Sequence, residues 1–152
     1  MVRIRKAEKG DLPKMIDVFM RAYEGLEEYG EPSRGAARRY IKWLMRRSPE
    51  GTFVVEEDGR IIGFVCADPE WEIAESSRGG AIHEIVVDPG YRGRGIGRML
   101  MEHAENYLRS KGVDVVELWV GRDNPARFFY EKLGYRERGL YGKWRRMIKF
   151  LK

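Results

Sequence analysis

The amino-acid sequence predicts a mixed α/β fold, with seven strands and four helices in the order βααβββαβαββ. Three observations carry that expectation. Runs rich in Val, Ile and aromatics, bounded by Gly, Pro or Asp, read as strands. Between them lie segments whose apolar residues recur at helical spacing. At the centre of the chain an apolar strand, Ile85 to Val87, passes through Asp88-Pro89-Gly90 into a glycine-rich turn and then into a helix-period run from Ile96.

Val2 to Lys6 alternates and reads as the first strand. Asp11 is placed to cap a helix that has Pro13 in its first turn, where a missing N–H is harmless. Met15, Ile16, Phe19 and Tyr23 share one face of it. Glu24 to Arg34 is a polar connection with four acids, Glu24, Glu27, Glu28 and Glu31. A second helix runs from about Gly35 to Arg47, with Ala37, Tyr40, Ile41 and Leu44 inward and a basic outer face. Thr52 to Glu56 and Arg60 to Ala67 are strands, and Asp58-Gly59 between them is a hairpin signal. Glu70 to Gly80 is a loop holding Trp71, and Ala81 to Val87 is the fourth strand. The third helix runs from Ile96 to about Lys111 and stops at Gly112. Ile96, Leu100, Ala104, Tyr107 and Leu108 form its apolar stripe, with His103 toward the surface. Val113 to Val120 is the fifth strand and Pro125 to Leu133 a short helix. Tyr135 to Tyr141 and Trp144 to Leu151 form a final hairpin.

At 152 residues the chain reads as one domain, residues 1–152, long enough for a sizeable core. No apolar stretch follows the start, so neither a signal peptide nor a membrane span is expected. The single cysteine, Cys66, sits in an apolar strand, which suits a buried side chain and a reducing, cytoplasmic setting. The chain has no glutamine and only two asparagines, beside many Arg and Glu, a balance like that of heat-adapted proteins. Net charge is +5, concentrated after residue 135, where seven basic residues face Glu137 alone. No zinc spacing or RNA-binding aromatic motif accompanies that basic tail, so it reads as a solvated or ligand-facing rim rather than a nucleic-acid surface.

The segment Arg92-Gly93-Arg94-Gly95-Ile96-Gly97-Arg98 bares the backbone where a helix begins. Initial helix N–H groups lack internal partners and carry partial positive charge, which together make a phosphate socket. It is not a P-loop, because no Lys-Ser or Lys-Thr follows, nor a dinucleotide fingerprint, because Arg98 takes the last glycine position. It fits R-x-x-G-x-G through Arg92, Gly95 and Gly97. Downstream, Asn124-Pro125-Ala126-Arg127-Phe128-Phe129-Tyr130-Glu131-Lys132-Leu133-Gly134-Tyr135 fits N-x-x-A-x-x-x-Y-x-x-x-G-[FY]. In these two blocks, in this order, the chain resembles the GNAT family of N-acetyltransferases.

The resemblance implies the acyl-CoA N-acyltransferase fold, a mixed seven-stranded central sheet flanked by about four helices, in which the fourth and fifth strands run parallel and splay around the pantetheine arm. It implies acetyl-CoA as cosubstrate, no metal, and direct transfer to a primary amine of a small molecule or protein in a ternary complex. The pyrophosphate would lie on Arg92, Gly93, Arg94, Gly95, Ile96, Gly97 and Arg98, and the pantetheine along Ile85, Val86 and Val87, with Asn124 bonded to it. Tyr130 matches the family's general acid and would also touch the coenzyme; Lys132 is within range of a phosphate or simply solvated. The base would be His83 or Glu84. Strand alternation puts His83 on the face of Ile85 and Val87, whereas a bulge would favour Glu84. Relatives that acetylate protein N-termini often carry Glu where this chain has Trp119, which speaks against that acceptor. The acids of Glu24 to Glu31, with Tyr29, form either a solvated loop or a surface that attracts a cationic amine. Rival readings are a non-catalytic acyl-CoA sensor or partner-binding domain, and a nucleic-acid module built on the tail. No membrane partner is expected; a homodimer, with Trp71, Tyr141 and Trp144 lining either a pocket or a dimer contact, is compatible with the sequence.

Overall fold

The computed structural model describes residues 1–151, so Lys152 of the basic tail lies outside them. The strands are β1 (Val2–Lys6), β2 (Thr52–Glu57), β3 (Arg60–Asp68), β4 (Gly79–Val87), β5 (Val115–Gly121), β6 (Arg136–Tyr141) and β7 (Trp144–Phe150). The helices are α1 (Leu12–Ala22), α2 (Arg34–Arg47), α3 (Ile96–Ser110) and α4 (Ala126–Lys132). All seven strands form one sheet in the order β1-β2-β3-β4-β5-β7-β6. This is the expected element order, with ends shifted by a residue or two.

Local chemistry explains the connections. Asp58 and Gly59 both adopt positive φ, 53° and 80°, as a two-residue hairpin turn requires. The crossover through α3 makes β4 and β5 the parallel pair, and every other neighbouring pair is antiparallel. The parallel pairing is brief: Gly79, Gly80 and Ala81 face Val115, Val116 and Glu117, and no further register pair follows. Beyond Ala81 the two strands part. Gly80 leaves no room for a side chain; a Cβ there would fall 2.8 Å from the Asp68 carbonyl oxygen and 3.1 Å from Val113.

Two apolar layers clamp the sheet. On one face Leu100, Met101, Ala104 and Leu108 of α3 pack with Val116, Leu118, Val120, Tyr135 and Met147. On the other, Met15, Phe19, Ile41 and Leu44 of α1 and α2 cover Phe64, Cys66 and Val86. Each such fully buried side chain stabilises the fold by roughly 1.5–3 kcal/mol. The two helices on this face lie over β3 and β4, while Trp119, Tyr141 and Phe150 at the other end of the sheet stay exposed.

Three local expectations change. Asp11 gives no side-chain cap to α1; its carboxylate accepts from the Glu8 N–H at 2.7 Å and from Arg5 at 2.8 and 2.9 Å. The ion pair draws it into the turn before the helix. His103 is half-buried, edge-on to Phe53 at 4.4 Å, because β2 reaches across that side of α3. Tyr107 in the α3 stripe is only half-buried, and Met101 takes the fully buried place. Among the described residues, no helix is long and apolar enough to cross a membrane, and no three His, Cys, Asp or Glu side chains cluster as metal ligands.

Candidate active site

The fork between β4 and β5 opens a cleft of about 1310 Å³. Its walls are Ile82 to Val87 on one side and Leu118 to Gly121 on the other. One end is closed by the turn before α3 and by Asn124, Phe129 and Tyr130; the other lies under Tyr23, Tyr29, Glu31 and Tyr40.

At the first end, Gly93 and Gly95 have φ of 81° and 77°, the left-handed region that glycine enters without strain. Gly95 is the N-cap of α3 and supplies no side-chain bond. The Met99 N–H is the first of the helix to reach a carbonyl, that of Gly95 at 3.0 Å. The amides from Gly93 to Arg98 therefore have no acceptor among the described residues. Gly97 lies against Phe129, whose ring edge would be 3.2 Å from an added Cβ. The turn is pinned from behind: Asp88 accepts from the Gly90 N–H at 2.9 Å and from Arg21 at 2.6 Å. Arg92 and Arg98 line the cleft. Arg94 instead pairs with Glu57 at 3.1 Å and lies over the Tyr91 ring. Lys132 is exposed and borders a second groove with Arg109 and Lys149, which shares Arg98 with the cleft.

A bulge decides the phase of β4. Glu84 pairs with Cys66 but Ile82 with Ala67, so His83 is an extra residue without a partner on β3. His83 Nε2 lies 2.8 Å from Oδ2 of buried Asp68, which also holds Arg47 at 2.6 Å. The imidazole stands edge-on between Trp43 and Trp71, with centroids at 5.2 and 4.7 Å. It reaches the cleft wall already engaged.

Glu84 faces the cleft from the opposite phase. The Tyr23 hydroxyl donates to its Oε2 at 2.6 Å and the Tyr40 hydroxyl to its Oε1 at 2.7 Å. Burial pushes its carboxyl up to about 7, although both tyrosine hydroxyls pull the other way. Tyr130 stands on the far side, and burial, with the Glu84 charge second, raises its phenol well above the usual range. It stays protonated at neutral pH, and among the described residues no acceptor engages its hydroxyl. Asn124 accepts the Ala126 N–H at 2.9 Å through Oδ1, which starts α4 and leaves its amide NH₂ for the cleft. Cys66 lies outside the cleft lining, fully buried, its thiol pushed up to about 12 by burial.

Sequence reasoning placed Tyr23 and Tyr40 on core-facing positions and did not see them as the grip on Glu84. Their single signal was a hydroxyl on an otherwise apolar helix face. The Arg21–Asp88 brace left no local signal, since its partners are 67 residues apart.

A model of the acetyltransferase (GNAT) family matches residues 12–135. The chain belongs to that family. It is 41% identical, over 96% of its length, to an uncharacterised N-acetyltransferase of Methanocaldococcus jannaschii, of which it spans 66%. A crystal structure of a Pyrococcus horikoshii protein superposes with a TM-score of 0.89 at 42% identity, covering 100% of this chain and 99% of that one. A Thermoplasma acidophilum PaiA N-acetyltransferase, solved in complex with coenzyme A, shares the fold at TM-score 0.81 and 24% identity over 99% of both chains. The seven-stranded mixed sheet with four helices is thus the acyl-CoA N-acyltransferase fold, and the chain is an acetyltransferase domain of the GNAT family.

Proposed function

We propose that residues 1–152 act as one N-acetyltransferase domain that uses acetyl-CoA to acetylate a primary amine, of a small molecule or a protein, within a ternary complex in the cytoplasm. The observation that carries this reading is the β4–β5 fork, with unpaired amides at one end and a gripped, half-buried carboxyl at the other. The residues present fit the cosubstrate: acceptor-free amides, two arginines and side-chain-free glycines make a diphosphate cradle. Acetyl-CoA, when bound, supplies the thioester acyl group.

Amides 93 to 98, with Arg92 and Arg98, hold the diphosphate. The edge of β4 from Ile85 to Val87, facing the fork, would hold the pantetheine arm and offer a backbone N–H to the thioester oxygen. Asn124 donates its free NH₂ to the same arm. Glu84 is the base: a carboxyl balanced near neutrality accepts a proton from an ammonium and passes it on readily. Tyr130 is the acid that returns a proton to the leaving thiolate. His83, held by Asp68, fixes the bulge that turns Glu84 inward and is not itself the base. Neither Arg94 nor Lys132 is assigned to the coenzyme, since neither lines the cleft.

The test is transfer from acetyl-CoA to a broad amine panel, with Tyr130→Phe as the informative variant. Turnover should fall about a hundredfold, the scale of general-acid catalysis, while CoA affinity changes less than about twofold. CoA binding without transfer to any amine would favour an acyl-CoA sensor instead. Equal losses of turnover and CoA affinity would remove Tyr130 as the acid.

A further inference from the structure

The cleft is electrically two-ended. Arg92 and Arg98 stand at the phosphate end, and Glu84 and Glu31 at the other. Two other ionisable groups, Lys143 and His83, line the second end, and neither is paired with Glu31 or Glu84. Lys143 donates to the Glu28 carbonyl at 2.6 Å and lies over the Trp144 ring. His83 is bonded to Asp68.

Of the four acids in the connection between α1 and α2, three point elsewhere. Glu27 accepts its own loop's Gly25 N–H at 2.9 Å, and Glu24, Glu27 and Glu28 are exposed. Glu31 alone is half-buried and lines the cleft, and it forms no ion pair or hydrogen bond among the described residues. Its place is built. Gly30 packs on Tyr23 so closely that a Cβ would sit 2.9 Å from Tyr23 Cβ and Cγ, and Ser33 caps α2 just beyond. The Glu31 charge reaches both Glu84 and Tyr23 and adds to the forces that keep Glu84 protonated.

The connection also bridges the mouth. The Tyr29 hydroxyl accepts the Asp123 N–H at 3.1 Å, and its ring lies against Trp144 at 5.7 Å. Glu31 is therefore held over the acceptor end by contacts on both sides. Trp119 and Tyr141, packed together at 5.4 Å, give that end an exposed aromatic wall. A carboxylate held beside a second carboxyl, with no cation of its own, is an unfavourable arrangement that a cationic ligand relieves. Aromatic rings beside it add attraction for an alkylammonium.

We infer that Glu31 is the acceptor-recognition residue, and that the acceptor is an amine bearing a second, non-reacting positive charge. The inference rests on the transferase reading above and names its substrate class. The reacting ammonium gives its proton to Glu84 and becomes the nucleophile; the second cation stays charged and is neutralised by Glu31. An amine with a carboxylate at its far end would meet repulsion from the same group.

Three acceptors of equal chain length separate the cases: an unbranched α,ω-diamine, the corresponding monoamine and the ω-amino acid. Initial rates at saturating acetyl-CoA should rank diamine over monoamine over amino acid by kcat/KM. In Glu31→Gln the diamine-to-monoamine ratio should fall about tenfold, with the KM for acetyl-CoA unchanged and the contrast shrinking as salt is raised. Glu31→Lys should raise the amino acid above the diamine. Calorimetric binding of the diamine to CoA-saturated protein reads the same contact without turnover. If no amine is acetylated yet the diamine binds and Glu31→Gln weakens it, the transferase reading fails while Glu31 keeps its role. A diamine ratio and diamine affinity both unmoved by Glu31→Gln would overturn the assignment.

Discussion

The two ends of the cleft are built in opposite ways. The diphosphate cradle at the phosphate end comes from one short stretch, Asp88 to Arg98, and works through main-chain amides that glycine leaves bare. The acceptor end takes side chains from α1, the α1–α2 connection, α2, β4, β5 and the β6–β7 turn. A site made of backbone needs particular residues at particular spacings, because only glycine enters the left-handed region freely. A site made of distant side chains needs only that the fold bring them together, and many sequences do that. The first kind can be read from a motif and the second cannot.

The largest effect should come from the acceptor end. Glu84→Gln leaves one tyrosine hydroxyl donating to the amide oxygen and turns the other into an acceptor of the amide NH₂, and it removes the base. We expect kcat to fall by about 10²- to 10⁴-fold, the range of general acid–base catalysis, with CoA affinity nearly unchanged. The pH profile carries a sharper signature. The carboxyl is pushed up to about 7, and it serves only when deprotonated. The kcat/KM of the wild-type protein should therefore climb as pH rises through about 7 and level off above it. The variant should lack that limb. An equally steep limb in Glu84→Gln would move the base to the histidine.

That contest shows where sequence reading stops. Period-two alternation in β4 puts His83 on the face of Ile85, and the residues alone left His83 and Glu84 both standing. The register reverses this through a single unpaired residue at 83. What holds the bulge is Asp68 from β3, Arg47 from α2 and tryptophans from α2 and the β3–β4 loop. None of these is a neighbour of His83 in the chain, so no local pattern announces them. The strands, helices and the Asp58-Gly59 hairpin were legible because each obeys a local rule: period, cap or turn chemistry. The fork between β4 and β5 was legible only through the resemblance to a family. The pair Gly79-Gly80 marks where the strands touch, but nothing in the residues after it says that they separate.

The phosphate end can be broken by a change that leaves the acceptor end whole. Gly95→Val forces a β-branched residue into φ of 77° at the N-cap of α3. A left-handed conformation costs an L-residue about 1–2 kcal/mol, so the turn should relax away from the cradle geometry. CoA affinity should drop roughly tenfold or more, while kcat at saturating acetyl-CoA stays within about twofold. A loss of kcat with affinity intact would mean that the turn serves the chemistry and not the grip.

The finest test compares two arginines four residues apart in the same motif. Arg98 lines the cleft beside the bare amides, in a long, exposed pair with Glu102 at 3.4 Å. Arg94 points away, committed to Glu57 at 3.1 Å and to the Tyr91 ring. A charge-assisted bond to a phosphate is worth about 1.5–3 kcal/mol, reduced where solvent reaches it, as it does at Arg98. Arg98→Ala should weaken CoA by about three- to tenfold at low salt, and less as ionic strength rises. Arg94→Ala should change CoA affinity by less than about twofold, because its exposed pair with Glu57 contributes at most about 1 kcal/mol and does so away from the ligand. Calorimetry on both variants at two salt concentrations reads the difference. If Arg94 proves the costlier loss, its guanidinium must leave Glu57 when the coenzyme arrives, and the cradle extends further toward β2 than its resting contacts show.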